Sequence, residues 1–105
     1  MALKIGPLVF EVVEYGSKKE YQALVGNKEL DDMFGVCQTY PKTRILLNSL
    51  QDDQSKQLTL LHEVLEAINF LYQLNLKERD IKTLEASLGQ VLKDNPKFTQ
   101  GFLNS

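Results

Sequence analysis

The sequence feature that most constrains the fold is an apolar run, LTLLHEVLEAINFLY, at residues 58–72. At about 100° per residue, its apolar side chains occupy an arc of about 180°, which is typical of an amphipathic helix with a broad core face. Asp52 or Asp53 is suited to cap the start of this helix or to complement its dipole. A long helix is therefore predicted soon after Asn48.

A second amphipathic helix is predicted at about residues 77–93. Its apolar side chains fall on one stripe, Ile81, Leu84, Leu88, Val91 and Leu92. Lys93 and Pro96 supply plausible signals for its end. Because only a short break at residues 74–76 separates the two helices, we expect them to form an antiparallel hairpin.

The sequence before Asn48 has the pattern of β-strands. Residues 8–15, LVFEVVEY, combine β-branched and aromatic side chains with partial alternation, and the following GSKKE predicts a turn. Residues 35–39 and 43–47 predict a hairpin, because Pro41 between them is well placed to start a turn.

Residues 21–34 show only weak patterns and are predicted to be loop, with a short element at residues 21–25. The expected fold class is therefore α+β, with a small antiparallel β-sheet of about three strands followed by an antiparallel two-helix hairpin. We assign residues 1–97 to one domain and residues 98–105 to a loosely ordered tail.

The composition limits the kinds of partner and the cellular compartment that can be expected for this chain. With 105 residues, 43% hydrophobic and 25% charged, the chain is in the range of one soluble globular domain. The net charge of −2 and the scattered basic residues argue against nucleic acid as a partner. The single cysteine, Cys37, and the lack of a signal peptide or a membrane-spanning run predict a cytoplasmic protein that does not bind membranes.

His62, the only histidine, begins the segment HEVLE. His62 and Glu66 are four residues apart and project from the same helix face, as two metal ligands must. Glu63 lies about 100° round the helix, where a carboxylate could reach water without binding the ion. This is the logic of the zinc motif H-E-x-x-H, except that a glutamate replaces the second histidine.

The second helix must supply a third ligand. If the turn is centred near Asn75, antiparallel pairing places residue 85 beside residue 66, so Glu85 is the natural choice. Glu78 should lie opposite the end of the first helix, too far from His62 to share an ion, and is held in reserve. A competing interpretation needs no metal, because the polar side chains of the first helix also form one continuous arc that is typical of a solvated face.

Residues 33–97 resemble the small zincin-type, minimal gluzincin-like metallopeptidase domains often encoded by phages and prophages. The resemblance consists of a strand and hairpin starting near Gly35, a polar spacer, the segment TLLHE at residues 59–63, and a second helix that ends in KDNP at residues 93–96. It implies the fold expected above, with zinc as the cofactor.

By this resemblance, His62 matches the first zinc ligand, Glu63 the general base and Glu66 the second ligand. The family's acidic ligand from the next helix corresponds to Glu85 by geometry, whereas an alignment on the leucines places Lys82 there. The family also resembles this chain in a version with the motif HExxEA, so glutamate at position 66 need not indicate random loss of the metal site.

Two functions follow as hypotheses. The first is a zinc-dependent metallopeptidase-like phage protein, active or degenerate, with zinc on His62, Glu66 and Glu85. The second is a non-catalytic module on the same scaffold that binds a host or phage protein. Either hypothesis implies a peptide or protein partner, and the chain is expected to be a monomer or weak dimer. A third possibility, a dimer formed through the helical hairpin, predicts an exposed apolar strip and a mass that depends on concentration.

Overall fold

The computed structural model describes residues 1–26 and 34–105 and has the predicted α+β class. Four strands and four helices occur in the described residues, in the order β1 Ala2–Ile5, β2 Leu8–Tyr15, α1 Lys18–Val25, β3 Gly35–Gln38, β4 Arg44–Asn48, α2 Asp53–Tyr72, α3 Glu78–Asp94 and α4 Pro96–Leu103. None of these helices combines the length and the apolar content that a bilayer-spanning segment needs.

The sheet has the strand order β1-β2-β4-β3. β1 pairs antiparallel with β2, β3 pairs antiparallel with β4, and the central pair β2–β4 is parallel. The expectation of about three antiparallel strands is therefore corrected to a mixed sheet of four. The reason lies in β4, where the consecutive residues Ile45, Leu46 and Leu47 are all buried, as in a central strand that is covered on both faces.

Two clusters of buried side chains cover the two faces of the sheet. On the face that packs against α2, the buried residues are Ile5, Phe10, Ile45, Leu47 and Ala67. On the opposite face, Tyr15 and Tyr21 pack edge to face with ring centroids 5.0 Å apart, next to Leu46. The alternation predicted for β2 thus places successive side chains on opposite sides of the sheet.

The predicted starts and ends of the helices were mostly right. Asp52 caps α2, where its carboxylate accepts a hydrogen bond of 2.7 Å from the Ser55 amide. The turn predicted at residues 16–20 is wrong in its second half, because Ser17 caps α1 and accepts a hydrogen bond from the Glu20 amide. Most of the loop predicted at residues 26–34 lies outside the described residues.

The helical hairpin of α2 and α3 is confirmed, and one side chain determines how the two helices are aligned. The side-chain amide of Asn69 donates to the Leu76 carbonyl at 3.1 Å and accepts from the Leu76 amide at 2.9 Å. Leu76 therefore lies beside Asn69, about one turn before the end of α2. In this alignment Glu85 contacts His62, one turn along α2 from the pairing of residue 85 with residue 66 that the sequence predicted.

Residues 96–103 form α4, although most of them had been assigned to a loosely ordered tail. Pro96 occupies the first helical position, where its fixed φ and missing N–H cost nothing. Thr99 ties α4 to α3 by donating from Oγ1 to the Leu92 carbonyl at 2.9 Å. Among the described elements, α4 contacts α3 alone.

Candidate metal centre

His62 lies on the face of α2 that is covered by α3, and its side chain is only 16% exposed. Its Nδ1 atom is 2.7 Å from Oε1 of Glu85, which reaches it from α3. A carboxylate at this distance accepts the Nδ1 proton and fixes the tautomer of the ring. The Nε2 lone pair is then the one available to a metal ion.

Two other carboxylates lie on the Nε2 side of the ring. Oε1 of Glu78 is 3.5 Å from Nε2, and Oε1 of Glu66 is 4.0 Å from the same atom. Ligand atoms of these three residues all lie within 4.8 Å of one another. The imidazole and the two carboxylates are therefore close enough to one another to share an ion, although Glu78 is largely exposed.

This donor set fits zinc in its chemistry and nearly in its spacing. Zinc binds imidazole nitrogen and carboxylate oxygen at about 2.0–2.2 Å, and a tetrahedral ion holds such atoms about 3.3 Å apart. The His62–Glu78 separation of 3.5 Å is close to this value, and the His62–Glu66 separation of 4.0 Å is longer. Glu66 and Glu78 are 35% and 59% exposed, so their side chains have room to rotate inward.

The structure changes the part assigned to each acidic residue of α3. Glu78 was expected to lie too far from His62, and this was wrong, because the bonds between Asn69 and Leu76 bring the start of α3 back along α2. Glu85, the predicted third ligand, contacts Nδ1 and so lies on the side of the ring away from Glu66 and Glu78. The alternative position Lys82 is exposed.

Glu63 is buried, at 5% exposure, although it is a charged residue. Its charge acts on His62 and also on Cys37 in β3, which places the carboxylate near both. β3 can approach α2 closely because Gly35 has no side chain; a Cβ there would lie 2.7 Å from the Thr59 methyl group. The polar arc of α2 is thus covered by α3 and β3 at Glu63 and His62, whereas Glu66 is partly exposed and Gln73 is exposed, so a solvated face describes only part of the arc.

The electrostatics of the centre favour a cation. Burial acts to lower the pKa of His62, but the hydrogen bond with Glu85 and the surrounding glutamate charges outweigh it, so the pKa is raised. Burial and the neighbouring charge of Glu78 raise the pKa of Glu66. Both shifts indicate that negative charge is concentrated round one imidazole, where a divalent cation would relieve the repulsion.

Cys37 is a free thiol at the edge of this region. Burial raises the pKa of Cys37 to about 12, with smaller contributions from the charges of Glu63 and Glu66. At neutral pH the side chain is therefore a protonated thiol, which is a poor nucleophile.

Comparisons with protein-family models, with curated proteins and with solved structures find nothing that matches this chain.

Proposed function

We propose that this protein is a zinc-dependent hydrolase of peptide bonds in which His62, Glu66 and Glu78 hold the metal. The observation that carries the proposal is the convergence of three ligand atoms within 4.8 Å. A fourth side chain, Glu85, holds the far nitrogen of His62 at 2.7 Å, in the manner of the carboxylate partners of metal-binding histidines. The proposal replaces Glu85 by Glu78 in the predicted ligand set.

Zinc bound by three protein ligands would polarise a carbonyl group and lower the pKa of a water molecule to about 7. Glu63 is the proposed general base. It takes a proton from the water as the oxygen attacks the carbonyl carbon, and it returns that proton to the amine as the C–N bond breaks. Burial of Glu63 next to His62 supports this assignment, because proton transfer is more effective where bulk water is excluded.

The exposure of Glu78 and Glu66 leaves one side of the centre open. A peptide segment could approach from that side, whereas Glu85, whose side chain is 24% exposed, lies on the Nδ1 side of the ring. The thiol form of Cys37 fits a reducing compartment, and on that basis we propose the cytoplasm as the site of action.

Metal analysis of protein purified without a polyhistidine tag tests the metal centre. By inductively coupled plasma mass spectrometry, we expect about one zinc per chain in the wild type. Zinc should be lost in His62→Ala, Glu66→Ala and Glu78→Ala. Glu11→Ala is the matched control, because Glu11 is an exposed glutamate on β2 away from the centre. Zinc-free wild-type protein whose stability does not change on adding zinc would refute the centre.

Activity requires a separate test, because an ion can be bound without turnover. Hydrolysis of a quenched fluorescent peptide library should occur with the wild-type protein and decrease by at least about a hundredfold in Glu63→Gln. Zinc content should stay unchanged in this variant. If Glu63→Gln hydrolysed the peptides as fast as the wild type, Glu63 would not be the base.

A second candidate function is a protein-binding module without catalysis. The observation that favours it is that His62 is surrounded by carboxylates at 2.7, 3.5 and 4.0 Å, an arrangement that a protonated imidazole could stabilise without metal. Glu66 in place of a second histidine favours the same conclusion. Zinc-free protein that loses stability in His62→Gln would support this function over the hydrolase.

A further inference from the structure

A groove lies between the N-terminal half of α2 and the C-terminal half of α3, with a volume of about 1010 Å³. Its lining is mostly apolar and includes Leu58, Leu61, Val64, Gly89 and Leu92. Gly89 brings the two helices close at one point, since a Cβ there would lie 2.9 Å from a methyl carbon of Leu58. The volume is at the upper end of the range for pockets that bind small molecules, so the groove has room for large side chains of a partner.

The helix α4 carries the complementary feature. Phe98, Phe102 and Leu103 are 60%, 75% and 71% exposed. Phe98 and Phe102 are four residues apart, so their rings lie side by side on one face of the helix. An eight-residue helix gains little stability in water without tertiary packing of its apolar face, and among the described elements α4 contacts α3 alone.

We propose that two copies of this chain form a symmetric dimer by exchanging these features. Phe98 and Phe102 of each copy enter the groove between α2 and α3 of the other. Within one chain, α4 follows α3 after Asn95 and contacts α3 alone among the described elements, and neither ring is among the residues that line the groove of its own chain. An isologous exchange fills both grooves and covers both helices.

The area and the charges are compatible with this exchange. If the two phenylalanine rings of each copy are covered by an equal area of groove, the two copies together would bury on the order of 1,000 Å². This area is at the lower limit for a specific interface. The charged side chain of α4 is Lys97, whereas Asp53, Asp94 and Lys93 border the groove. The basic helix end therefore meets a surface with an excess of negative charge.

Sedimentation equilibrium of the full chain at increasing concentration tests the proposal. The wild-type mass should rise from the monomer toward the dimer. Phe98→Ser with Phe102→Ser should raise the dimer dissociation constant about tenfold or more, because the largest contacts are lost. Phe70→Ser is the matched control: Phe70 is 59% exposed on α2, so the dissociation constant should not change.

Two further measurements separate this interface from other ways of associating. Leu92→Glu, which changes the groove and not the rings, should weaken the dimer as the double variant does. In a mixture of isotope-labelled and unlabelled protein, intermolecular contacts should join the Phe98 and Phe102 rings to the methyl groups of Leu58 and Leu61. Circular dichroism verifies that each variant keeps its helices.

The proposal is overturned by any of three results. These are a wild type that is monomeric at every concentration, a double phenylalanine variant that dimerises like the wild type, and ring contacts that lie within one chain. Sedimentation with anionic phospholipid vesicles tests the alternative that the apolar face of α4 binds a membrane. If the monomer binds vesicles through Phe98 and Phe102 and no dimer forms, the exposed face of α4 is a membrane-binding surface instead.

Discussion

Glu85 and His62 are joined across the helical hairpin by a hydrogen bond of 2.7 Å between Oε1 and Nδ1. This single contact fixes which imidazole nitrogen faces the solvent-accessible carboxylates. It also distinguishes Glu85, which orients the ring, from Glu66 and Glu78, which lie on the Nε2 side.

The first prediction concerns the role of Glu85. In Glu85→Gln the amide oxygen can still accept the Nδ1 proton, but the negative charge that makes the ring a stronger ligand is lost. Zinc affinity should therefore fall by about 10–100-fold while one zinc per chain is still bound at saturation. Competition with a chromophoric chelator measures this affinity. Complete loss of zinc, as expected for His62→Ala, would instead identify Glu85 as a direct ligand.

The second prediction is a pH dependence of the metal-free protein. The pKa of His62 is raised in the folded state, so its contribution to stability is present below the unfolded value of about 6.5 and is lost as the pH rises through the folded value. The raised pKa of Glu66 acts in the same direction, because the fold favours its protonated form. Melting temperatures in EDTA should therefore decrease from pH 6 to 8.5.

Two controls accompany this measurement. His62→Gln should show a flatter profile, because the titrating imidazole is absent. Saturating zinc should oppose the decrease, since the metal binds the neutral ring more tightly as the pH rises. A wild-type profile that rises with pH in EDTA would contradict the assignment.

The third prediction concerns Cys37. Because the pKa of Cys37 is raised to about 12, its thiolate fraction at pH 8 is about a thousandfold below that of an ordinary cysteine. Alkylation by iodoacetamide should be correspondingly slow in the native protein and fast in guanidinium chloride. Glu63→Gln should speed the native reaction, as it removes the second cause of the shift. Equal rates in folded and unfolded protein would disprove the burial of the thiol.

The fourth prediction tests the Asn69 clamp, which is the pair of hydrogen bonds between the Asn69 side chain and the Leu76 backbone. Asn69→Ala removes both hydrogen bonds to the Leu76 backbone and should lower the free energy of unfolding by about 1–3 kcal/mol, measured by urea denaturation. Zinc affinity should fall as well, because the position of Glu78 depends on this clamp. Gln90→Ala is the control: the Gln90 amide donates to the exposed Asp94 carboxylate, and its loss should change stability by less than about 0.5 kcal/mol.

The fifth prediction concerns the contact between β3 and α2. A methyl group added in Gly35→Ala would lie 2.7 Å from Cγ2 of Thr59 and 3.0 Å from the Leu46 carbonyl oxygen. We expect a loss of about 1–3 kcal/mol in the free energy of unfolding. Thr59→Ser removes that methyl group, keeps the hydroxyl that bonds Gln51, and should restore part of the loss in the double variant. Full additivity of the two changes would show that they do not touch.

The sequence was sufficient to predict the elements with strong periodicity. Residues 8–15 form β2 as expected, and the 58–72 run lies in α2, because apolar spacing determines which face a strand or helix buries. The hairpin of β3 and β4 also followed from its composition and from Pro41. By contrast, β1 has only the four residues Ala2–Ile5, too few to show a period.

The site was predictable only in part, for a physical reason. His62 and Glu66 share one helix, so their proximity follows from helical geometry alone. The position of Glu78 depends on a tertiary hydrogen bond between Asn69 and the Leu76 backbone, which no local pattern encodes. The burial of Glu63 likewise depends on how β3 approaches α2.

The parallel pairing of β2 with β4 has a consequence for the nascent chain. Phe10 is fully buried, yet its core partners Ile45 and Ala67 belong to segments that the ribosome delivers much later. The Phe10 side chain in the β1–β2 hairpin therefore stays exposed to solvent until α2 has been synthesised. We expect folding to be governed by the closure of this distant contact, and to be slower than in a helical bundle of the same length.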